Sequence, residues 1–169
     1  MHPLHLRAER PGDAEAIGAL ITAAFQGHPH SAGTEAAIVR ALRTAGALSL
    51  SLVAEQGGRL VGHIAFSPVT VAGQPGAWYG LGPLAVAPAC QRQGLGAALV
   101  RQGLQQLQEQ GAAGCVVLGD PAYYGRFGFR VRPGLLYPGP PPELFMALAW
   151  QPPLPQGVVA YHPGFEARD

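Results

Sequence analysis

Two short stretches carry residue types whose spacing suits chemistry. In "QRQGLGA", residues 91–97, Gly94 and Gly96 stand directly before a run of helix formers. A helix start leaves its first backbone N–H groups unpaired and carries partial positive charge. Glycine lets an anion approach that backbone with no side chain in the way. The stretch is either an anion cradle, with Arg92 as an added charge, or a tight strand-to-helix turn. Downstream, "YYGRFGF", residues 123–129, sets two phenols ahead of a Gly-Phe pair. Other phosphate-binding patterns do not fit. No Lys-Ser or Lys-Thr follows the loop, as a Walker A motif requires. There is no third glycine and no ribose-binding acid after the next strand, as a dinucleotide fingerprint requires. A nucleophile elbow of the G-x-S-x-G kind is also absent.

The elements that must position these residues can be read from hydrophobic periodicity. "LHLRA", residues 4–8, alternates as a strand. Asp13 is a candidate cap for a helix with Ile17, Leu20, Ile21, Ala24 and Phe25 on one side. Thr34 is the same for a helix with Ile38, Val39 and Leu42, stopped by Gly46. "ALSLSLVAEQ" is a half-buried strand, joined through Gly57-Gly58 to "RLVGHIAFSPVTV" in a hairpin. There His63 alternates with Val61 and Ala65, opposite Leu60, Ile64 and Phe66. "WYGLGPLAVAP" is a strand whose internal Gly80, Gly82 and Pro83 predict a bulge or splay. A helix follows from Gly94 to Gln110, then the buried strand "GCVVLG", then one or two helical turns in "DPAYYGRFGF". "RPGLLYPGPPPE" reads as a loop and "LFMALAW" as a strand before the tail "GVVAYHPGF". The segment 78–119 is strand–helix–strand, so its two strands should be parallel through a right-handed crossover. The expected fold is α/β: a mixed, mostly antiparallel sheet with helices on both faces and one parallel, splayed strand pair.

The chain has 169 residues, 48% of them hydrophobic and 12% charged, with a net charge of +1. Such a composition is globular and gives no electrostatic reason to expect nucleic acid or an acidic membrane surface as partner. Apolar runs stop well short of a membrane span. "MHPLHLRAERPGD" has no apolar signal-peptide core, so the cytoplasm is the expected location. Cys90 and Cys115 fit reduced thiols better than a disulfide framework.

Together the two stretches carry a resemblance. "LAVAPACQRQGLGAALV" is similar to the acetyl-CoA-binding segment of the GCN5-related N-acetyltransferases, whose loop reads Q/R-x-x-G-x-G/A. "YYGRFGF" resembles that family's aromatic-Tyr-x-x-x-Gly-Phe motif. "SLVAEQGGRLVGHIAFSPV", "GLGPLAV", "LGDPAYYGRFGF" and "YHPGF" resemble a bacterial branch of it called YhbS-like. The resemblance runs over most of the chain, and residues 1–169 read as one N-acetyltransferase domain. It implies acetyl-CoA as cosubstrate, CoA as product, no metal, and an amine acceptor. Homodimers are common among such proteins.

The resemblance places the pyrophosphate of CoA on Gln91, Arg92, Gln93, Gly94, Leu95, Gly96 and Ala97. The pantetheine arm would pair with backbone of Leu84, Ala85 and Val86, where a backbone N–H would also meet the developing oxyanion. Tyr123 is either core or a CoA contact. The resemblance makes Tyr124 the candidate acid at the leaving sulfur. A phenol (pKa ~10) gives its proton to a thiolate (~8.5) only uphill, by ~2 kcal/mol, so hydrogen bonding to sulfur is the better reading. The asparagine usual at the start of this segment is absent, and Asp120 reads as a helix cap.

The acceptor amine must lose a proton, since a lysine-like amine is neutral in only about one molecule in a few thousand at pH 7. Glu35 is a candidate base, or a favourable charge at a helix start. His63 is the other, or a structural histidine. "HPH" at 28–30 lacks a carboxylate at metal-ligand spacing. Cys90 has no histidine partner in sequence and reads as packing. Met146 and the Trp78–Tyr79 pair read as core or pocket wall. Tyr161-His162 either returns to the site or ends in a terminal strand pair.

The stretches that shape the acceptor pocket are the two N-terminal helices and the loops 26–33 and 132–142. They are small, apolar and proline-rich, which disfavours a polyamine. A small amine, an amino acid, or a protein N-terminus or lysine fits. Two functional classes follow: an acetyl-CoA-dependent N-acyltransferase using direct attack in a ternary complex, or a CoA-binding module without catalysis that serves regulation or assembly.

Overall fold

The computed structural model describes residues 2–168. Its elements in chain order are β1 (Leu4–Ala8), α1 (Ala14–Phe25), α2 (Glu35–Thr44), β2 (Leu50–Gln56), β3 (Arg59–Val71), β4 (Trp78–Val86), α3 (Leu95–Glu109) and β5 (Gly114–Leu118). They continue with α4 (Pro121–Tyr124), β6 (Leu135–Leu136), β7 (Phe145–Ala149) and β8 (Gly157–Tyr161). The sheet order is β1-β2-β3-β4-β5-β7. All these pairs are antiparallel except β4–β5, which is parallel. β8 adds to the far end of β3, pairing Tyr161 with Val69.

Each face of the sheet is covered by helix because both faces are apolar. On one side α3 lays Leu95, Leu99, Val100, Leu104 and Leu107 against Leu52, Ile64, Phe66, Val117 and Met146. On the other side Ile17 and Ile21 of α1 and Val39 of α2 pack on Val53 and Ala85. Further along that face Trp78, Val116, Phe145 and Val159 form a second cluster. Among the described residues no helix is long and apolar enough to cross a membrane.

The structure departs from the sequence reading in four places. The register of β2 on β3 slips between Ala54 and Glu55. A bulge breaks the period-two alternation, so Leu60 packs on the α1 side and Val61 on the α3 side. Val61 therefore does not share the face of His63. Asp13 sits at the N-cap of α1 without capping it; its carboxylate accepts from the Arg10 backbone N–H at 2.7 Å and from Arg7 at 2.7 Å. Thr34 likewise makes no side-chain cap bond. The proline-rich segment holds a short strand, β6, parallel to β8; two residues are too few to show an alternation.

Candidate active site

The centre of the molecule is a fork. β4 and β5 pair at Trp78–Gly114, Tyr79–Cys115 and Gly80–Val116, and there the pairing stops. β4 then loses register on β3 between the partners of Ile64 and Phe66, with one extra residue in β4. Gly82 takes φ +141, a backbone state that L side chains rarely adopt. Beyond the bulge β4 keeps β3 and leaves β5, which pairs on with β7 to Leu118–Phe145.

The fork exposes backbone. The Ala87 N–H bonds to the Val61 carbonyl at 2.9 Å. Antiparallel alternation then turns Ala85 to β3 and turns the backbone groups of Leu84 and Val86 to the open side. The Val86 carbonyl indeed accepts from Gln91 Nε2 at 3.1 Å. The side chains divide the other way: Ala85 is buried under α1, while Leu84 and Val86 face α3.

The loop 91–94 closes the same corner. Gly94 is the N-cap of α3 with φ +82, and no side chain caps the helix. Arg92 also has positive φ, +64. Gln91, Arg92, Gln93 and Gly94 are exposed, and Leu95 and Ala97 anchor the helix in the core. The first N–H groups of α3 thus face outward with no acid in the first turn. A side-chain carbon at Gly96 would stand 2.9 Å from the Tyr123 hydroxyl, 3.6 Å from Val86 and 3.8 Å from Leu84. Three separate stretches of the chain, residues 84–86, 91–97 and 123, therefore meet at one glycine.

Asp120 caps α4, accepting from the Ala122 N–H at 2.9 Å. The short helix turns Tyr124 over Gly119, whose missing side chain makes the room. Tyr123 and Tyr124 meet edge to face at 5.0 Å, and Phe127 and Phe129 complete the aromatic group. Burial, and then the nearby Tyr123 and Cys115, push the Tyr124 phenol well above its ordinary value. Cys90 is a free thiol packed at the edge of the α3 core.

The opposite face of the fork carries different groups. His63 is 0% exposed, with Nε2 2.8 Å from Ser51 Oγ. Ser51 donates to Glu9 at 2.7 Å, and Glu9 accepts two bonds from Arg43 at 2.8 and 2.9 Å. Since the Ser51 proton goes to Glu9, His63 donates through Nε2, and Nδ1 is left as a buried acceptor without a partner. Burial drives the His63 pKa down to about 4. Ser67 lies four residues on along β3 and is also fully buried, its hydroxyl unpartnered. Glu35 begins α2; both its oxygens are held by Ser31 Oγ, at 2.7 and 2.9 Å. With Phe25 and His28 it lines an open cavity of ≈ 590 Å³. Among the described residues no three His, Cys, Asp or Glu side chains converge. The structure gathers the residues of 84–97 and 123–124 at one corner; His63 and Glu35 lie on the other side of the sheet, in separate surroundings. Sequence reasoning missed Glu9, Arg43, Ser51 and Ser67, whose signal was only that two strands, a loop and a helix each present one polar residue inward.

This architecture, with a splayed parallel pair beside an uncapped glycine-led helix, defines an acyltransferase, and the chain belongs to the acetyltransferase (GNAT) family, whose model matches residues 15–129. Over 127 residues, 75% of the chain, it is 45% identical to an uncharacterized N-acetyltransferase, YhbS, of Escherichia coli K12, covering 73% of that protein. A crystal structure of a GNAT family acetyltransferase from Brucella melitensis in complex with acetyl-CoA is 50% identical, with TM-score 0.88, covering 98% of this chain and 99% of that one. The structure of Escherichia coli YhbS in complex with CoA has TM-score 0.89 at 38% identity, covering 98% and 93%.

Proposed function

We propose that the protein transfers an acetyl group from acetyl-CoA to an amine by direct attack in a ternary complex. The meeting of residues 84–86, 91–97 and 123 at Gly96 carries this reading. The free N–H groups of α3 receive the pyrophosphate, with Gln91, Arg92, Gln93 and Gly94 around it. The pantetheine amides fill the backbone positions that β5 has vacated beside Leu84 and Val86. An N–H there polarises the thioester carbonyl and stabilises the oxyanion. The bound complexes of the Brucella and Escherichia relatives support the choice of ligand.

Tyr124 lies on the α3 side and hydrogen-bonds the leaving sulfur. Its raised pKa keeps it a phenol throughout, so the proton that the thiolate takes comes from the tetrahedral ammonium. Of the two base candidates, Glu35 keeps open cavity beside it, while His63 is sealed from solvent. We assign proton removal to Glu35, directly or through water, and a supporting role to His63.

The test is thiol release from acetyl-CoA over an amine panel, with products weighed by mass spectrometry, for the wild type and Tyr124→Phe. Tyr124→Phe is expected to lower kcat about tenfold or more, with the KM for acetyl-CoA nearly unchanged. Tight binding of acetyl-CoA with no thiol released by any amine would instead identify a CoA-binding module without catalysis.

A further inference from the structure

One residue outside the corner described above stands at the apex of the fork. Tyr161 ends β8, pairs with Val69, and sends its ring across β3 on the face opposite α3. The ring lies over Gly80, where a side-chain carbon would collide with it. Gly80 is the last residue of β4 paired to β5. Tyr161 therefore covers the point at which the two strands part. Tyr137 holds it edge to face at 5.3 Å and Phe165 packs on it at 4.9 Å. Phe165 in turn packs on the cluster of Ile38, Leu42 and Ala47, whose first two residues belong to α2, the helix that Glu35 begins. Ser67 on β3 is the register partner of Gly80, and its buried hydroxyl has no hydrogen-bond partner.

The β5 side of the fork has its own exposed group. Leu118 lies two residues past Val116, so it shares that residue's face of the sheet. Val116 belongs to the cluster on which Tyr161 packs. β4 no longer covers this stretch, and Leu118 is 39% exposed. A phenol and an open aliphatic side chain thus flank the fork on the face away from α3 and Tyr124. Burial, with Cys115, Tyr137 and Tyr124 nearby, raises the pKa of the phenol, so it is a neutral hydrogen-bonding group and not a base.

We propose that Tyr161 and Leu118 form the acceptor subsite, and that it takes a primary amine with an apolar aryl or alkyl body. The inference rests on the acetyltransferase reading and adds the substrate class. The phenol oxygen accepts one N–H of the neutral amine, which leaves the nitrogen lone pair directed at the thioester carbon. The C–N bond forms as the carbonyl opens. Collapse breaks the C–S bond, and the ammonium proton passes to the thiolate, giving the N-acetylamine and CoA. Leu118 and the Tyr161 ring cover the body of the amine, and no carboxylate among them favours a second cationic centre.

The probes are phenethylamine, spermidine and glycinamide, each with acetyl-CoA. The wild type should show the lowest KM with phenethylamine. Tyr161→Phe keeps the ring over Gly80 and removes the hydroxyl. It should raise the KM for phenethylamine about tenfold, the effect of one lost hydrogen bond, with the KM for acetyl-CoA and the melting temperature unchanged. Leu118→Asp, at an exposed position, should shift preference toward spermidine. An unchanged amine KM in Tyr161→Phe, or turnover confined to spermidine or glycinamide, overturns the subsite while leaving the acetyltransferase reading intact. Acetyl-CoA binding by calorimetry with no thiol release from any probe or panel amine overturns both.

Discussion

On the α3 side of the fork the candidate cofactor cradle is made of main chain: the uncapped start of α3, the positive-φ turn at Gly94, and the backbone of Leu84 and Val86. On the α1–α2 side the polar groups are side chains: Arg43 from a helix, Glu9 from a loop, Ser51 and His63 from neighbouring strands. The first construction leaves donors facing solvent and ready for an anion. The second seals its donors and acceptors against one another and holds the sheet to α2. The difference teaches that the main-chain cradle is organised for holding a cofactor and the Arg43–Glu9–Ser51–His63 chain for rigidity, so mutations in the two should separate cofactor affinity from stability.

The largest effect is expected on the sealed side. Glu9→Ala leaves Arg43 and Ser51 without their acceptor. Because the ion pair is only partly buried, the loss is about 2–3 kcal/mol of unfolding free energy, below that of a deeply buried pair. Denaturant titration measures it, and acetyl-CoA affinity should stay as it was. A loss below about 0.5 kcal/mol, the level of an ordinary surface change, would show that the network does not hold the fold.

On the open side, Gly96→Val sets a branched side chain against the Tyr123 hydroxyl and over the helix N–H groups. Hydrogen bonds to a charged group contribute about 1.5–3 kcal/mol each, so the Kd for acetyl-CoA by calorimetry should rise about 10- to 100-fold. The melting temperature should move little, because Gly96 is at the rim. An unchanged Kd would mean that the anion is held elsewhere.

The last effect is absent at neutral pH and shows only as a pH dependence. His63 is neutral in the fold, its pKa lowered from 6.5 to about 4 by burial, against an opposing attraction from Glu9 and with a minor push from Arg43. Below pH 6.5 the unfolded chain takes up a proton that the folded chain refuses. Stability from this group is therefore complete above pH 6.5 and lost as the pH falls toward 4. His63→Leu should flatten the stability profile across that window. Carboxylates such as Asp13, held down to about 2 by Arg7, act only at lower pH. A profile of the same slope in the variant would assign the dependence to other groups.

The sequence by itself determined the elements and the open side of the fork. Alternation marked β2 and β3, a short apolar run marked β5, the spacing of Leu104 and Leu107 marked α3, and Gly94 and Gly96 marked the cradle. These are local constraints: a turn with positive φ needs glycine at that residue, and an anion at a helix start needs bare backbone within one turn. Gly80, Gly82 and Pro83 likewise announced the splay of β4 from β5, though not that their pairing would end at Gly80. Tertiary structure alone decided the rest. The bulge at Ala54–Glu55 moved Val61 to the other face, because one extra residue reverses every alternation upstream of it. The chain Arg43–Glu9–Ser51–His63 joins residues up to 54 positions apart, each an ordinary polar residue in its own segment. Tyr161 reads locally as the end of a strand; only the addition of β8 to β3 carries its ring across to Gly80. Main-chain binding is specified by residues next to one another, whereas a side-chain assembly exists only once strands distant in sequence have found their register.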